Sequence, residues 1–317
     1  MNIPVIYNKN HHQHNPKLEI YEGKRFPHVE KPDRISSILT ELKNEKIGEL
    51  IDPADFDMEF INQVHSKDYI NFFKKISNKA RKKGFIFPSN YILDTYTLVQ
   101  ASTFKIAKKS ADVALTGAEM ILNGEKLVYS LCRPPGHHAE KNKMGGYCYF
   151  NNAGIAGQFL SSFGKVAILD IDIHHGNGTQ NIFYERKDVF FVSIHADPNK
   201  MYPYSTGFED EKGIGKGAGF NINYPLSVGT GELKYKKTLE KAILDIKKFK
   251  PKYLIVSTGF DTYVNDPIGG FKLKTPFYKK MGQKIASLRI PTLIIQEGGY
   301  NIKELGKLAV SFLKGFN

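Results

Sequence analysis

The stretch "VAILDIDIHHGNGT", residues 166–179, starts as a core strand and finishes as something else. Val166–Leu169 are continuously apolar. Asp170, Asp172, His174, His175 and Asn177 then follow within eight positions. Crowding acids and imidazoles at the end of a buried strand is unfavourable unless another group compensates.

Similar apolar runs recur along the chain: "PVIY" (4–7), "LVYSL" (127–131), "VAILDID" (166–172), "VFFVSIH" (189–195), "YLIVST" (253–258) and "PTLIIQ" (291–296). They are nearly continuous rather than alternating, as expected of parallel strands covered on both faces. Helical periodicity lies between them. In 238–249, Leu239, Ala242, Ile243, Ile246 and Phe249 recur every three to four residues, with lysines opposite, and 98–122 and 152–163 behave alike. No repeat or low-complexity linker interrupts the alternation, which predicts one α/β domain over residues 1–317, built on a parallel sheet.

The totals agree. The chain has 317 residues, 41% hydrophobic and 24% charged, enough to bury a large core. Its formal charge of +13 comes from lysines spread along the sequence, as in 72–83 and 233–250. These read first as solvated faces, and only second as a docking surface for nucleic acid or an acidic partner. Cys132 and Cys148 form no C-x-x-C pair, which fits a reducing compartment. No signal-like segment and no 18-residue apolar run occurs, so a cytoplasmic location without a membrane partner is expected.

Ligands of such sheets bind beyond the carboxyl ends of the strands, where the unusual residues fall. "CRPPGHHA", "DIDIHHGNG", "SIHADP", "GFDTYVNDP" and "QEGGY" each follow a strand and share one rim. If 170–174 is extended, Asp170, Asp172 and His174 point the same way. Asp261 then completes a cation site with Asp172 and His174. Two carboxylates, one imidazole and an open position suit catalytic Zn²⁺, with Fe²⁺ or another divalent ion as alternatives. Asp170 fits better just outside the ligand set, or in a monovalent-cation site with Ser193.

His137 and His138 read as an acid–base pair, with Asp170 and Asn177 as candidate orienting partners. Tyr300, after Gly298 and Gly299, could donate a hydrogen bond to an oxyanion. Tyr147 reads as a channel wall.

Taken together, "RPPGHHA", "GGYCYFNN", "DIDIHHGNGTQ", "SIHADP", "GFDTYVNDP" and "QEGGY" resemble, in their order, the zinc deacetylases of the arginase/deacetylase superfamily. The spelling is most similar to bacterial acetylpolyamine amidohydrolases and class II-like histone deacetylases. The resemblance implies a three-layer α/β/α domain with an eight-stranded parallel sheet, and hydrolysis of an acetylated primary amine, either an acetylpolyamine or an acetyl-lysine peptide. It implies Zn²⁺ on Asp172, His174 and Asp261, His138 as the base, Tyr300 as oxyanion donor and Tyr147 and Tyr202 as tunnel walls. It also implies a structural K⁺ near Asp170 and Ser193. Glu19 resembles an acidic gatekeeper for a cationic substrate. Asp94 resembles a rim aspartate that holds a substrate backbone, and reads equally as the N-cap of helix 98–122. Asn177 stands where class I enzymes carry Asp.

The family's long acidic insertion is replaced here by the basic stretch 78–97, so a homodimer is possible but not required. A two-Mn²⁺ ureohydrolase of the arginase branch would need further carboxylates where Gly176, Asn177, Thr262 and Tyr263 stand. A non-catalytic acyl-lysine or nucleic-acid binding module would not need the His–His–Tyr set.

Overall fold

The computed structural model describes residues 3–317. Its strands are β1 (Pro4–Tyr7), β2 (Leu18–Tyr21), β3 (Lys24–Pro27), β4 (Glu49–Ile51), β5 (Phe85–Ile86), β6 (Val99–Gln100), β7 (Leu127–Leu131), β8 (Val166–Asp170), β9 (Val189–Ala196), β10 (Asn221–Leu226), β11 (Tyr253–Thr258) and β12 (Thr292–Gln296). Eight of them form one sheet in the order β10-β9-β8-β11-β12-β7-β1-β4, and every pairing is parallel. β2–β3 and β5–β6 are separate antiparallel hairpins.

Nine α-helices accompany the strands among the described residues: α1 (Asp33–Asn44), α2 (Met58–Asn62), α3 (Lys67–Lys83), α4 (Thr103–Leu122), α5 (Asn152–Ser161), α6 (Asn177–Phe183), α7 (Glu232–Phe249), α8 (Thr275–Ala286) and α9 (Ile302–Leu313). None is long and apolar enough to cross a membrane. Alternation along the strands divides them into two layers. Ala167 and Leu169 of β8 share a core with α1, α7, α8 and α9. Val166 and Ile168 face the other way, into a core with α4, α5 and α6. β8 is fully buried because helices cover both of its sides, which is why its sequence does not alternate.

Three expectations are corrected. β8 ends at Asp170, so residues 171–174 are not extended and strand alternation does not explain how their side chains converge. The helix read over 98–122 begins only at Thr103, after β6, and Ser102 rather than Asp94 occupies its N-cap position. The edge strands β4 and β10 were missed. β4 has only three residues, and half-covered β10 alternates polar and apolar residues, so neither shows a continuous apolar run.

Candidate metal centre and active site

The sheet order places β8, β11 and β12 side by side, although they are far apart in sequence. Their carboxyl-terminal tips are tied together through the acidic side chains. The Ile173 N–H donates to Asp261 Oδ1 at 2.9 Å, and the Gly298 N–H donates to Asp172 Oδ2 at 2.9 Å. Asp172 Oδ1 also accepts from the His174 N–H at 2.9 Å. His174 Nδ1 lies 3.1 Å from Asp172 Oδ1 and 3.3 Å from Asp261 Oδ2. One donor atom from each of Asp172, His174 and Asp261 falls within 4.8 Å of the others, and all three residues are buried.

Burial and the charge of Asp172 push the Asp261 carboxyl up to about 7. Burial acts upward on Asp172 too, but His137 and His174 outweigh it and hold Asp172 far below the usual carboxylate range. Burial disfavours the His174 imidazolium, yet its bonds to Asp172 and Asp261 raise its pKa to about 10. The three groups therefore demand positive charge.

The residues fit a divalent cation. Asp261 Oδ2 is buried, and only the His174 imidazole, poorly aligned at 3.3 Å, stands near it, so a lone pair is left over. The backbone also leaves room. A Cβ at Gly259 would stand 2.0 Å from Asp172 Oδ2, and one at Gly298 would stand 2.2 Å from Asp261 Oδ2. Glycine at both positions lets the Asp172 and Asp261 carboxylates occupy that space.

His137 and His138 stack beside this group with ring centroids 4.0 Å apart. His137 Nδ1 lies 3.0 Å from Asp170 Oδ2, and His138 Nδ1 lies 2.7 Å from Asn177 Oδ1. Burial lowers the His137 pKa, but Asp172 and Asp170 overcome it and raise it to about 10. His138 goes the other way: burial, then His137 and His174, hold it well below its ordinary value. Two adjacent imidazoles thus have opposite proton affinities, one favouring a cation and one a free base. Ser193 is paired with Asp170 across β8 and β9, and its hydroxyl lies 2.8 Å from His195 Nδ1.

A cavity of about 620 Å³ opens over His174. Tyr21, Tyr96, Tyr147, Tyr202 and Tyr204 line it, with Glu19 in one wall. Glu19 is buried, its Oε2 has no hydrogen-bond partner, and burial raises its pKa. Glu19 is the one acid in that lining; Glu22, Asp94, Glu209, Asp210 and Glu211 do not reach it. Lys31 and Lys200 also line it. Glu211 Oε2 instead accepts from Gln180 Nε2 at 2.6 Å and the Gly207 N–H at 2.8 Å. Asp94 stands behind the wall. Its oxygens accept from the Tyr96, Thr97 and Gly146 N–H groups at 3.0, 2.7 and 2.6 Å, and from the Tyr202 hydroxyl at 3.4 Å. Tyr300 is almost fully buried, its ring 5.9 Å from that of Tyr147, with the Arg34 guanidinium 4.7 Å above it. Burial raises the phenol pKa; Arg34 opposes this, while Asp261 and Asp172 add to it.

Several supporting residues escaped the sequence reading. Buried Glu30 accepts from Arg34 Nη1 and Arg133 Nε, each at 2.8 Å. Arg34 continues to the carbonyls of Gly299 (2.6 Å) and Glu297 (2.5 Å), clamping the loop that carries Tyr300. Buried Glu297 accepts from the Gly136 and His137 N–H groups at 2.7 and 3.2 Å, holding the histidine loop. Glu297 lies inside the quoted "QEGGY" motif, where its apolar surroundings were a usable signal. Nothing local distinguishes Glu30 or Arg34 from surface charges on an ordinary helix start.

Comparison with known proteins gives one consistent picture. The family model described as histone deacetylase domain matches residues 28–316. Acetylpolyamine amidohydrolase 2 of Pseudomonas aeruginosa is 43% identical, with 98% of each chain covered. The acetylpolyamine amidohydrolase of Mycoplana ramosa is 38% identical over the same shares. The crystal structure of the acetylpolyamine aminohydrolase from Burkholderia pseudomallei superposes with a TM-score of 0.95 at 34% identity, covering 99% of this chain and 98% of that one.

Proposed function

The chain belongs to the histone deacetylase domain family, and from that premise we propose that it is a metal-dependent hydrolase of N-acetylated primary amines, with acetylpolyamines as the preferred class. The observation that carries the reading is the convergence of donor atoms from buried Asp172, His174 and Asp261 to within 4.8 Å of one another beside a histidine pair. Asp172, His174 and Asp261 would hold the ion. Zn²⁺ suits this donor set best and Fe²⁺ second; either supplies Lewis acidity to a carbonyl and lowers the proton affinity of water.

The remaining chemistry belongs to the chain. His138 Nε2 takes a proton from the attacking water and returns it to the departing amine; Asn177 Oδ1, 2.7 Å from Nδ1, leaves Nε2 as the accepting nitrogen. His137, its Nδ1 3.0 Å from Asp170 Oδ2, is held in one orientation against the His138 ring. The Tyr300 hydroxyl donates to the developing oxyanion; its high pKa keeps it a proton donor. Asp170 and Ser193, with neighbouring carbonyls, form the proposed K⁺ position.

Glu19 supports the polyamine preference. A buried carboxylate oxygen without a partner in an aromatic wall suits a second ammonium, which the tyrosine faces also attract. An acetyl-lysine peptide does not bring that second charge so close to the acyl group. The test compares kcat/KM for N-acetylspermidine, acetylputrescine and acetyl-lysine peptides, with metal counted per chain. About one ion per chain and a ranking led by the polyamines is expected. No turnover of any of the three by the metal-loaded enzyme would overturn the proposal.

A further inference from the structure

We propose that Glu140 is a positioning residue that sets the tautomer of His138 through Asn177; this rests on the reading of His138 as the base. An aspartate beside an imidazole accepts from it in any rotation. An asparagine has one accepting and one donating end, and the wrong end would oppose the Nδ1 proton. Here the choice is forced. Asn177 Nδ2 donates to Glu140 Oε1 at 3.0 Å and lies 3.4 Å from the His138 carbonyl oxygen, so Oδ1 is left facing His138 Nδ1 at 2.7 Å. Reversing the amide would set Oδ1 against a carboxylate and a carbonyl. With Oδ1 in place, His138 carries its proton on Nδ1 and presents a bare Nε2.

Glu140 is itself held on both sides of its backbone. Its N–H donates to the Lys143 carbonyl at 2.9 Å. Its carbonyl accepts from His65 Nδ1 at 2.9 Å, and that tautomer is set because His65 Nε2 accepts the Asn151 N–H at 2.9 Å. Asn177 is fixed too: the next two N–H groups, of Gly178 and Thr179, donate to the His137 carbonyl at 3.0 and 3.2 Å. The relay therefore runs from the Glu140 turn into the first residue of α6, and Asn177 is buried.

The experiment uses zinc-loaded enzyme with ¹⁵N-labelled histidine, His138 being assigned by its loss in His138→Gln. In the parent, the His138 nitrogens should report a single Nδ1–H tautomer. Glu140→Ala should give a tautomer mixture and a roughly tenfold fall in kcat with KM unchanged, as expected for loss of one orienting hydrogen bond. Glu140→Gln keeps an acceptor and should restore both readouts. In an Asn177→Asp background the amide no longer needs orienting, so Glu140→Ala should cost nothing there. An unmixed tautomer and unchanged kcat in Glu140→Ala would overturn the proposal. So would an equal loss in the Asn177→Asp background. If the parent cleaves no acetylated amine, the activity reading fails, while the tautomer measurement still decides the role of Glu140.

Discussion

Replacing Gly298 by alanine should weaken metal binding sharply while leaving the fold standing. The added Cβ would lie 2.2 Å from Asp261 Oδ2 and 2.6 Å from Asp172 Oδ2. An ordinary contact begins near 3.4 Å, so at least one carboxylate must retreat by roughly 1 Å. Neither can do so freely, because Asp172 is fixed by the Gly298 and His174 N–H groups and Asp261 by that of Ile173. Metal–ligand distances tolerate only about 0.2 Å, so a displacement of this size should weaken metal affinity by about 10²-fold or more. Gly298 does not need positive φ, so the clash is with the ligands rather than the backbone. The global cost should stay within about 1–3 kcal/mol. Competition against a chromophoric chelator gives the affinity, and circular dichroism on heating gives the fold. Gly231→Ala is the control, since its Cβ would meet nothing within 4 Å. A folded Gly298→Ala protein with parental metal affinity and turnover would refute the cradle.

Three further outcomes are expected. Tyr300→Phe should keep its metal but lose about 10²–10³-fold in kcat, the usual cost of removing one oxyanion donor; unchanged kcat in a metal-replete sample would remove Tyr300 from the chemistry. Glu19→Gln should raise KM for N-acetylspermidine about tenfold while sparing an acetylated amine without a second charge, since the loss is that of one buried ion pair; equal effects on both substrates would contradict it. Acid stability should depend on Glu30. Burial pushes this carboxyl up, but Arg133 and Arg34 win and hold it at about 2. Its folded pKa is depressed, so its stabilisation is complete above about pH 4.5 and fades as pH falls toward 2. Glu30→Gln should flatten urea-measured stability across that window and lower it by about 3–5 kcal/mol at neutral pH; an unaltered acid limb would exclude the ion cluster as its cause.

The central strands were legible because they are buried on both faces, so their sequences carry no competing periodicity. β8, β9, β11 and β12 fall within a residue or two of where the apolar runs place them, apart from the end of β8. The motifs at their tips pointed to one rim because parallel strands put all their carboxyl ends on the same side. The two edge strands gave no such signal. The convergence of Asp172 and His174 was anticipated for the wrong reason. Alternation would need a strand that has already ended, whereas the observed turn is held by the acids themselves, each accepting an N–H two residues on. Glu140, Glu297 and the Glu30–Arg34–Arg133 cluster were invisible as a group because their partners lie up to 265 residues away, as in the reach of Arg34 to the loop before Tyr300. Asp94 shows the opposite limit. Its sequence neighbourhood suggested a cap, but its bonds go to a turn and to Gly146, a residue 52 positions further on.

The adjacency of β8 and β11 has a consequence for how the protein matures. The two tips that face each other are separated in the chain by β9, β10 and α7, and the Gly298 bond to Asp172 waits for β12 as well. During synthesis Asp172, His174 and Asp261 are not all present until residue 261 is made, and the Gly298 N–H that holds Asp172 follows 37 residues later. On the proposed ligand set, metal loading would come late in biogenesis, and a chain truncated before Gly298 should fold, if at all, with a weakened grip on its ion.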